Sequence, residues 1–221
     1  MPGRGRFITF EGGEGAGKST QARRLADRLE RRGLAVVVTR EPGGSPKAEA
    51  IRHVILSGRA RMLGPAGEAM LFAAARIDHL DVTIRPALAR GAWVVCDRFM
   101  DSTRVYQGAL GAVDSAVIDA LERVAVAETR PDLTLILDLP AETGCARAAA
   151  RRGAATPDRF EGEDIEAHRT LRAGFLAVAE ADPTRCVVID AAQPPDDVAD
   201  AVWAAVEARL FAPRAARVDA P

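Results

Sequence analysis

The fold class of this chain follows from the segment Gly12-Gly13-Glu14-Gly15-Ala16-Gly17-Lys18-Ser19-Thr20, which fits the pattern G-x-x-x-x-G-K-[ST]. An apolar run at residues 7–10 precedes it, and residues 22–29 carry apolar side chains at helical spacing. Glycines let the backbone curl so that successive N–H groups point at phosphate oxygens, and the dipole of the following helix adds positive charge. The sequence therefore predicts a phosphate-binding loop, or P-loop, over residues 12–20.

The predicted P-loop also indicates its ligand. The lysine of such a loop reaches the β- and γ-phosphates of a nucleotide, and the hydroxyl that follows holds Mg²⁺. We expect ATP with Mg²⁺, since the chain lacks the Asn-Lys-x-Asp motif that reads guanine. The expected nucleotide-binding residues are Gly12, Gly13, Glu14, Gly15, Ala16, Gly17, Lys18, Ser19 and Thr20.

Short apolar runs recur along the chain and alternate with segments of helical spacing. The predicted strands are Phe7–Phe10, Ala35–Thr39, Trp93–Asp97, Leu133–Leu139 and Cys186–Asp190. Strands that alternate with helices imply right-handed crossovers and a parallel sheet covered on both faces. The sequence thus predicts an α/β protein with the three-layer P-loop NTPase fold: a five-stranded parallel sheet, helices on both faces and a short lid.

Length and composition predict one domain. A chain of 221 residues with 48% hydrophobic residues can bury one substantial core, and we expect the domain to span residues 1–211. Residues 151–162 show no sustained period, so we place the lid at about residues 147–162, although composition alone leaves a plain surface connection open. Residues 212–221 are predicted to be a disordered tail.

The charge balance argues against several kinds of partner. The net charge of -1 provides no field that would hold a nucleic-acid backbone or an anionic membrane, so neither is expected as a partner. No run approaches the roughly 18 apolar residues of a membrane helix. The three cysteines are far apart and odd in number, which is typical of free thiols in a reducing compartment, and we expect a cytoplasmic protein.

Asp97 and Arg98 follow the third predicted strand, at the edge of the sheet where ligands of such folds bind. A carboxylate there can hold Mg²⁺ through water or orient an acceptor, and a guanidinium can bind a phosphate with two parallel hydrogen bonds. Taken alone, the pair could equally be an ion pair at the end of a strand.

The run Asp97-Arg98-Phe99-Met100-Asp101-Ser102-Thr103-Arg104-Val105-Tyr106-Gln107-Gly108 closely resembles the D-R-x-x-x-S-x-x-A/V-Y-Q-G signature of thymidylate kinases. Further stretches agree with that family in order and spacing: residues 11–20, Thr39-Arg40-Glu41-Pro42-Gly43-Gly44, Leu71-Phe72-Ala73-Ala74-Ala75-Arg76, Ile84-Arg85-Pro86-Ala87-Leu88 and Asp158-Arg159-Phe160-Glu161. The resemblance covers residues 6 to about 205. It implies a kinase domain that phosphorylates dTMP to dTDP with ATP and Mg²⁺, in the synthesis of dTTP, and that forms a homodimer, for which the region around Leu71 offers an apolar face.

The resemblance implies a role for each matching side chain on the acceptor side. Phe72 would stack on the thymine ring, and Arg76 would hydrogen-bond the edge of the base. Arg98 would bind the acceptor phosphate, Tyr106 would crowd the 2′ position, and Glu14 would address the 3′-hydroxyl. Without the family, the two aromatic residues could be core residues. The expected substrate-binding residues are Glu14, Pro42, Phe72, Arg76, Arg98, Ser102, Tyr106 and Gln107.

The resemblance implies that the arginine that neutralises the transferring phosphate lies in the lid, since members of the family carry it either there or in the P-loop, and the P-loop of this chain contains none. The chain resembles the bacterial type of the family in this respect, and Arg151 or Arg152 is the expected donor, with Arg147 and Arg159 as neighbours. The expected catalytic residues are Lys18, Asp97, Arg98, Arg151 and Arg152, and the expected Mg²⁺ ligands are Ser19 and Asp97, directly or through water.

Two other functions stay open on the sequence. The nearest alternative is a kinase for another deoxynucleotide or for a deoxynucleoside. A more distant one is a nucleotide-binding regulator without turnover, which would have no need of the acceptor-side residues Phe72, Arg76 and Tyr106.

Overall fold

A computed structural model gives the fold, and it describes residues 4–153, 160 and 162–211. One five-stranded sheet with the order β2-β3-β1-β4-β5 organises this part of the chain, and its neighbouring strands are parallel. The strands are β1 Phe7–Glu11, β2 Val36–Arg40, β3 Trp93–Asp97, β4 Leu133–Asp138 and β5 Cys186–Asp190. The five predicted strands are therefore all present, with ends shifted by one residue at most.

Helices connect the strands and cover the sheet. The α-helices are α1 Lys18–Arg31, α2 Pro46–Leu56, α3 Gly64–His79, α4 Arg85–Ala89, α5 Met100–Thr103, α6 Ser115–Ala125, α7 Ala141–Arg152, α8 Ile165–Ala181 and α9 Pro195–Val206. A 3-10 segment, Arg59–Leu63, precedes α3, and π-helical turns at Leu80–Ile84, Arg104–Leu110 and Glu207–Phe211 extend α3, α5 and α9.

The sheet separates two apolar layers, as alternation along β1 illustrates. Ile8 and Phe10 pack on the side of α1 and α9, with Leu25 and Val202, whereas Phe7 packs on the other side with Leu88 of α4. Side chains of successive strand residues point to opposite faces, so a strand buried on both faces carries apolar residues on each of them. The three-layer α/β fold predicted from the sequence is confirmed.

The strand register places the ends of β1, β2 and β3, which carry polar residues, level with one another. Phe10 of β1 and Arg40 of β2 both pair with Asp97 of β3, so these three strands end level with one another. The loops that follow them consequently meet at one edge of the sheet, and those after β2 and β3 lie on the same side of β1.

Parts of the predicted lid and tail lie outside the described residues. Residues 147–152 are the last turns of α7, while residues 154–159 and 161 are not among those described. The lid at residues 147–162 and the disordered tail at 212–221 therefore stay predictions. Within the described residues, no helix combines the length and the apolar character needed to cross a membrane.

Candidate active site

The P-loop connects the end of β1 to the start of α1 in a tight curl that requires glycine. Gly12 and Gly15 have φ angles of 133° and 69°, which L side chains rarely adopt. A Cβ atom on Gly12 would lie 2.4 Å from the carbonyl oxygen of Leu137, and one on Gly15 would lie 2.1 Å from that of Gly144. The loop thus packs directly against the ends of β4 and the start of α7.

Lys18 lies at the first position of α1 and folds back over the P-loop. Its Nζ donates to the carbonyl oxygens of Gly12 at 3.1 Å and Gly13 at 2.6 Å. Burial, and after it the nearby charge of Arg98, lower the pKa of Lys18 to about 8. The anionic phosphates of a nucleotide would favour the charged ammonium in this position.

Ser19 and Asp97 bring a hydroxyl and a carboxylate together beside the P-loop. Ser19 Oγ donates to Asp97 Oδ2, which joins the start of α1 to the end of β3. Mg²⁺ is commonly held by one or two side-chain oxygens together with substrate phosphates and water, so this pair suits it. Among the described residues, no group of three or more His, Cys, Asp or Glu side chains could form a cage for a metal by itself.

Arg98 lies between the P-loop and the second half of the site. Its backbone has a φ of 67°, and its guanidinium donates to Glu14 Oε1 at 2.5 Å and to the Gly12 carbonyl at 3.2 Å. Burial opposes ionisation of Glu14, but the charges of Arg98 and then Lys18 outweigh it and lower the pKa of Glu14 to about 2. The site therefore holds an ionised carboxylate against a cation before any ligand is considered.

Glu11 fixes the loop that carries Arg98, a role that was not predicted from the sequence. One of its carboxylate oxygens accepts from the backbone N–H of Phe99 at 2.8 Å and of Ser102 at 3.2 Å, and the other accepts from Ser102 Oγ at 2.6 Å. Burial, followed by the charge of Asp101, raises the pKa of Glu11 to about 7. A carboxylate at the end of a strand has no spacing signal, so its partners become visible only in the fold.

Aromatic residues form one wall of the site. Tyr106 and Phe160 have ring centroids 5.2 Å apart and nearly perpendicular rings, and Phe72 lies 6.2 Å from Phe160. Tyr106 Oη donates to Glu14 Oε1 at 3.3 Å. Phe160, a residue of the predicted lid, therefore lies against Phe72 and Tyr106.

These groups surround a central cavity of about 430 Å³. Most residues predicted from the sequence line it: Glu14, Gly15, Gly17, Lys18, Ser19, Thr20, Pro42, Phe72, Arg76, Asp97, Arg98, Ser102, Tyr106, Gln107 and Arg151. Five lining residues were not predicted to bind a ligand but carry charge or hydrogen-bonding groups: Arg23, Arg40, Glu41, Arg52 and Thr103.

Four predicted residues do not line the cavity. Gly12 and Gly13 contribute backbone carbonyl oxygens that accept from Lys18, and Ala16 packs into the core beside α1. Arg152, at the last position of α7, is also not among the lining residues, whereas Arg151 is. Of the two neighbouring arginines, Arg147 donates to the carbonyl oxygens of Ala191 and Ala192, and Arg159 lies outside the described residues.

The fold and the site together indicate a P-loop phosphotransferase, in which the glycine-rich loop and the aromatic wall line one cavity. A P-loop kinase of small acceptors has this arrangement, because donor and acceptor must be held in line.

Comparison with known proteins gives the family. The family model described as thymidylate kinase matches residues 10–202. A thymidylate kinase of Bradyrhizobium sp. strain BTAi1 is 61% identical over 210 residues, covering 95% of this chain and 93% of the relative. One of Rhodopseudomonas palustris strain CGA009 is 61% identical over 211 residues, covering 95% and 92%.

A solved structure agrees with the sequence relatives. The crystal structure of thymidylate kinase from Ehrlichia chaffeensis has a TM-score of 0.75 and 33% identity, and the match covers 93% of this chain and 100% of that chain. The chain belongs to the thymidylate kinase family, and it is therefore a nucleoside monophosphate kinase. The resemblance seen in the sequence is confirmed.

Proposed function

We propose that this enzyme transfers the γ-phosphate of ATP, bound with Mg²⁺, to the 5′-phosphate of dTMP, giving dTDP and ADP for the synthesis of dTTP. An oxygen of the acceptor phosphate forms the new P–O bond, and the bond between the γ-phosphorus and its bridging oxygen breaks, so that ADP leaves with the electron pair. The observation that carries the proposal is the position of Arg98, whose guanidinium contacts both the P-loop at Gly12 and the acceptor-side Ser102.

The donor half of the site is built from the P-loop. Its backbone N–H groups and the ammonium of Lys18 would bind the phosphates of ATP, and Ser19 with Asp97 would hold Mg²⁺, directly or through water. When bound, the cation neutralises charge on the β- and γ-phosphates. Thr20 lines the cavity next to these groups.

The acceptor half is built from the aromatic wall and two arginines. Phe72 would stack on thymine, Arg76 would hydrogen-bond its edge, and Arg98 would bind the acceptor phosphate. Tyr106 is buried and fixed by its contact with Glu14, which suits a residue that excludes a 2′-hydroxyl. Ser102, Gln107 and Pro42 complete this half.

Phosphoryl transfer needs little covalent assistance, so the residues act by holding two anionic groups together and stabilising charge on the moving group. Arg98 would lie between the acceptor phosphate and the γ-phosphate, and its charge acts on that of Lys18. Arg151 lines the cavity from α7 and would add the lid cation, ahead of Arg152. Closure of the lid at residues 147–162 would exclude water and so prevent hydrolysis of ATP.

A panel of acceptors tests the proposal. The purified enzyme is given ATP and Mg²⁺ with dTMP, dUMP, dCMP, dGMP or thymidine, and kcat/KM is measured for each. We expect dTMP to be the best acceptor and thymidine to be inactive, because it lacks the phosphate that Arg98 would bind. A better rate with thymidine or with another deoxynucleotide would support the alternative kinase. No turnover with any acceptor would support a nucleotide-binding regulator.

We also propose that the enzyme is a homodimer that uses the exposed apolar residues of α3 and α6. Met70 and Ile77 lie seven residues apart, on one face of α3, and Val124 of α6 is 74% exposed. α3 and α6 contact each other, so these side chains can form one patch that a second copy would cover. Sedimentation should show a dimer for the wild type and a monomer for Met70→Glu.

The cysteines support a cytoplasmic location. Cys96 and Cys186 are buried free thiols, and the third cysteine, Cys145, is also unpaired. Unpaired thiols are typical of proteins that work in a reducing compartment.

A further inference from the structure

A buried hydrogen-bonded cluster forms part of one wall of the central cavity, and the proposed reaction uses only its Arg76 directly. Glu41 Oε2 accepts from Arg76 Nε at 2.7 Å, Glu41 Oε1 lies 3.0 Å from His79 Nδ1, and His79 Nε2 lies 2.7 Å from Thr39 Oγ1. The side chains of Glu41 and Arg76 are each 4% exposed, and that of His79 is fully buried. We call Thr39, Glu41, Arg76 and His79 the Glu41 cluster.

Three of the five N–H groups of the Arg76 guanidinium donate within the protein. Its Nε donates to Glu41, and its Nη2 donates to the Phe99 carbonyl at 3.0 Å and to Thr103 Oγ1 at 3.1 Å. A guanidinium has five N–H groups in a rigid plane. Two of them, on Nη1, have no acceptor among the described residues, and Arg76 lines the cavity. A ligand in the cavity can therefore receive hydrogen bonds from this arginine only through Nη1.

His79 in turn holds Glu41. A carboxylate only accepts, so Nδ1–H of the ring donates to Glu41, and in the neutral ring Nε2 accepts from the Thr39 hydroxyl. Gly44 closes the remaining space, because a Cβ atom there would lie 2.4 Å from both His79 Nε2 and Thr39 Oγ1. The imidazole cannot turn without breaking both contacts, so the orientation of the carboxylate is fixed.

We propose that Glu41 and His79 are positioning residues that hold Arg76 with Nη1 directed at the pyrimidine base, and that they thereby select a base with a hydrogen-bond acceptor at position 4. The inference rests on the proposed binding of dTMP in this cavity. Thymine and uracil carry the acceptor O4, where cytosine carries an amino group that donates. A fixed N–H donor discriminates between the two, whereas a guanidinium that can turn or shift discriminates less.

The choice of variants follows from the contacts. Glu41→Gln keeps the volume but offers one acceptor in place of two, so the contacts to Arg76 and His79 can no longer both be charge-assisted. His79→Phe keeps a ring and removes both hydrogen bonds, while His79→Asn retains a donor near the position of Nδ1. Asp78→Asn is the matched control, because Asp78 anchors the same loop through Ser45 and Ala48 without touching Arg76.

The experiment measures kcat/KM for dTMP, dUMP and dCMP, and KM for ATP, in the full-length enzyme. For Glu41→Gln and His79→Phe we expect the ratio of dTMP to dCMP to fall about 10-fold, as the loss of one oriented hydrogen bond predicts. The ratio of dTMP to dUMP and the KM for ATP should not change. His79→Asn should restore most of the discrimination, and Asp78→Asn should keep all of it.

The possible outcomes separate this inference from the proposed function. If the wild-type enzyme uses dCMP as well as dTMP, the proposed function fails. If the wild type prefers dTMP but Glu41→Gln and His79→Phe keep its dTMP-to-dCMP ratio, the positioning role is wrong. A loss of thermal stability in all four variants with unchanged ratios would likewise assign the cluster to structure alone. Should His79→Phe not fold, the isosteric Glu41→Gln decides the question.

Discussion

Arg98 Nη2 donates to Glu14 Oε1 at 2.5 Å, so the P-loop itself carries the carboxylate that holds the arginine of the acceptor side. The two side chains are only 16% and 17% exposed, and the pair lies in the central cavity. Further contacts within the protein hold the pair, since Arg98 also donates to the Gly12 carbonyl and Glu14 also accepts from Tyr106. Little reorganisation is then needed when the anionic groups of two substrates enter, which is the condition under which a fixed charge contributes most to catalysis.

The first prediction concerns Arg98. Arg98→Ala should lower kcat/KM for dTMP by about 10²- to 10³-fold, because a preorganised charge at the transferring phosphate is lost. Steady-state kinetics with saturating ATP provide the measurement. Arg24→Ala is the control, since Arg24 forms an exposed ion pair with Asp196 on the far side of α1, and its activity should match the wild type. Equal kinetics for both variants would exclude a catalytic role for Arg98.

The second prediction concerns stability in acid. The pKa of Glu14 is lowered from 4.5, the value expected in the unfolded chain, to about 2 in the folded protein. The ionised carboxylate therefore stabilises the fold fully above pH 4.5, and this stabilisation is lost as the pH falls from 4.5 towards 2. A shift of this size corresponds to about 3 kcal/mol at most. In urea unfolding, the stability advantage of wild type over Glu14→Gln should shrink by about 1 kcal/mol between pH 7 and pH 3.5.

The control for this titration is Glu166→Gln. Glu166 is exposed and pairs with Arg169 three residues away, and exposed pairs contribute little. The free energy of unfolding of Glu166→Gln should be close to that of the wild type at both pH values. If the difference in free energy of unfolding between the wild type and Glu14→Gln did not change with pH, Glu14 would not be held as a carboxylate by Arg98 and Lys18.

The sequence predicted much of this molecule because its strongest signals are local. The P-loop is nine consecutive residues between a strand and a helix, and Arg98 directly follows a buried strand. The contacts of Glu11 and Glu41 were not predicted, since their partners lie far along the chain: Ser102 for Glu11, and Arg76 for Glu41. Either glutamate could have been a solvated residue at a strand end, and only tertiary packing buries it.

The third prediction separates the two lid arginines. Arg151 lines the central cavity, and its charge contributes to lowering the pKa of Glu14, whereas Arg152 does not line the cavity. Arg151→Ala should therefore lower kcat by about 10²-fold or more, in the range of arginine fingers, and Arg152→Ala should have a much smaller effect. If Arg152→Ala lowered the single-turnover rate more than Arg151→Ala, Arg152 would be the arginine that contacts the transferring phosphate.

The fourth prediction compares two glycines of the P-loop. Gly15→Ala places a Cβ atom 2.1 Å from the Gly144 carbonyl oxygen at a φ of 69°, whereas a Cβ on Gly13 meets nothing within 4 Å. We expect Gly15→Ala to lower the free energy of unfolding by about 2 kcal/mol or more, and Gly13→Ala by clearly less. Thermal and urea unfolding of both variants measure this difference. Equal stability would show that the loop and α7 separate readily.

Gly15 and Gly144 are in close contact, and this contact fixes one point along α7. Arg151 lies seven residues beyond Gly144 on the same helix, which is about 10 Å along the axis. If the helix pivots about this point by roughly 10°, its far end travels about 2 Å, the difference between a direct ionic contact and a gap that admits water. A rotation of that size would carry the charge of Arg151 towards the cavity or away from it.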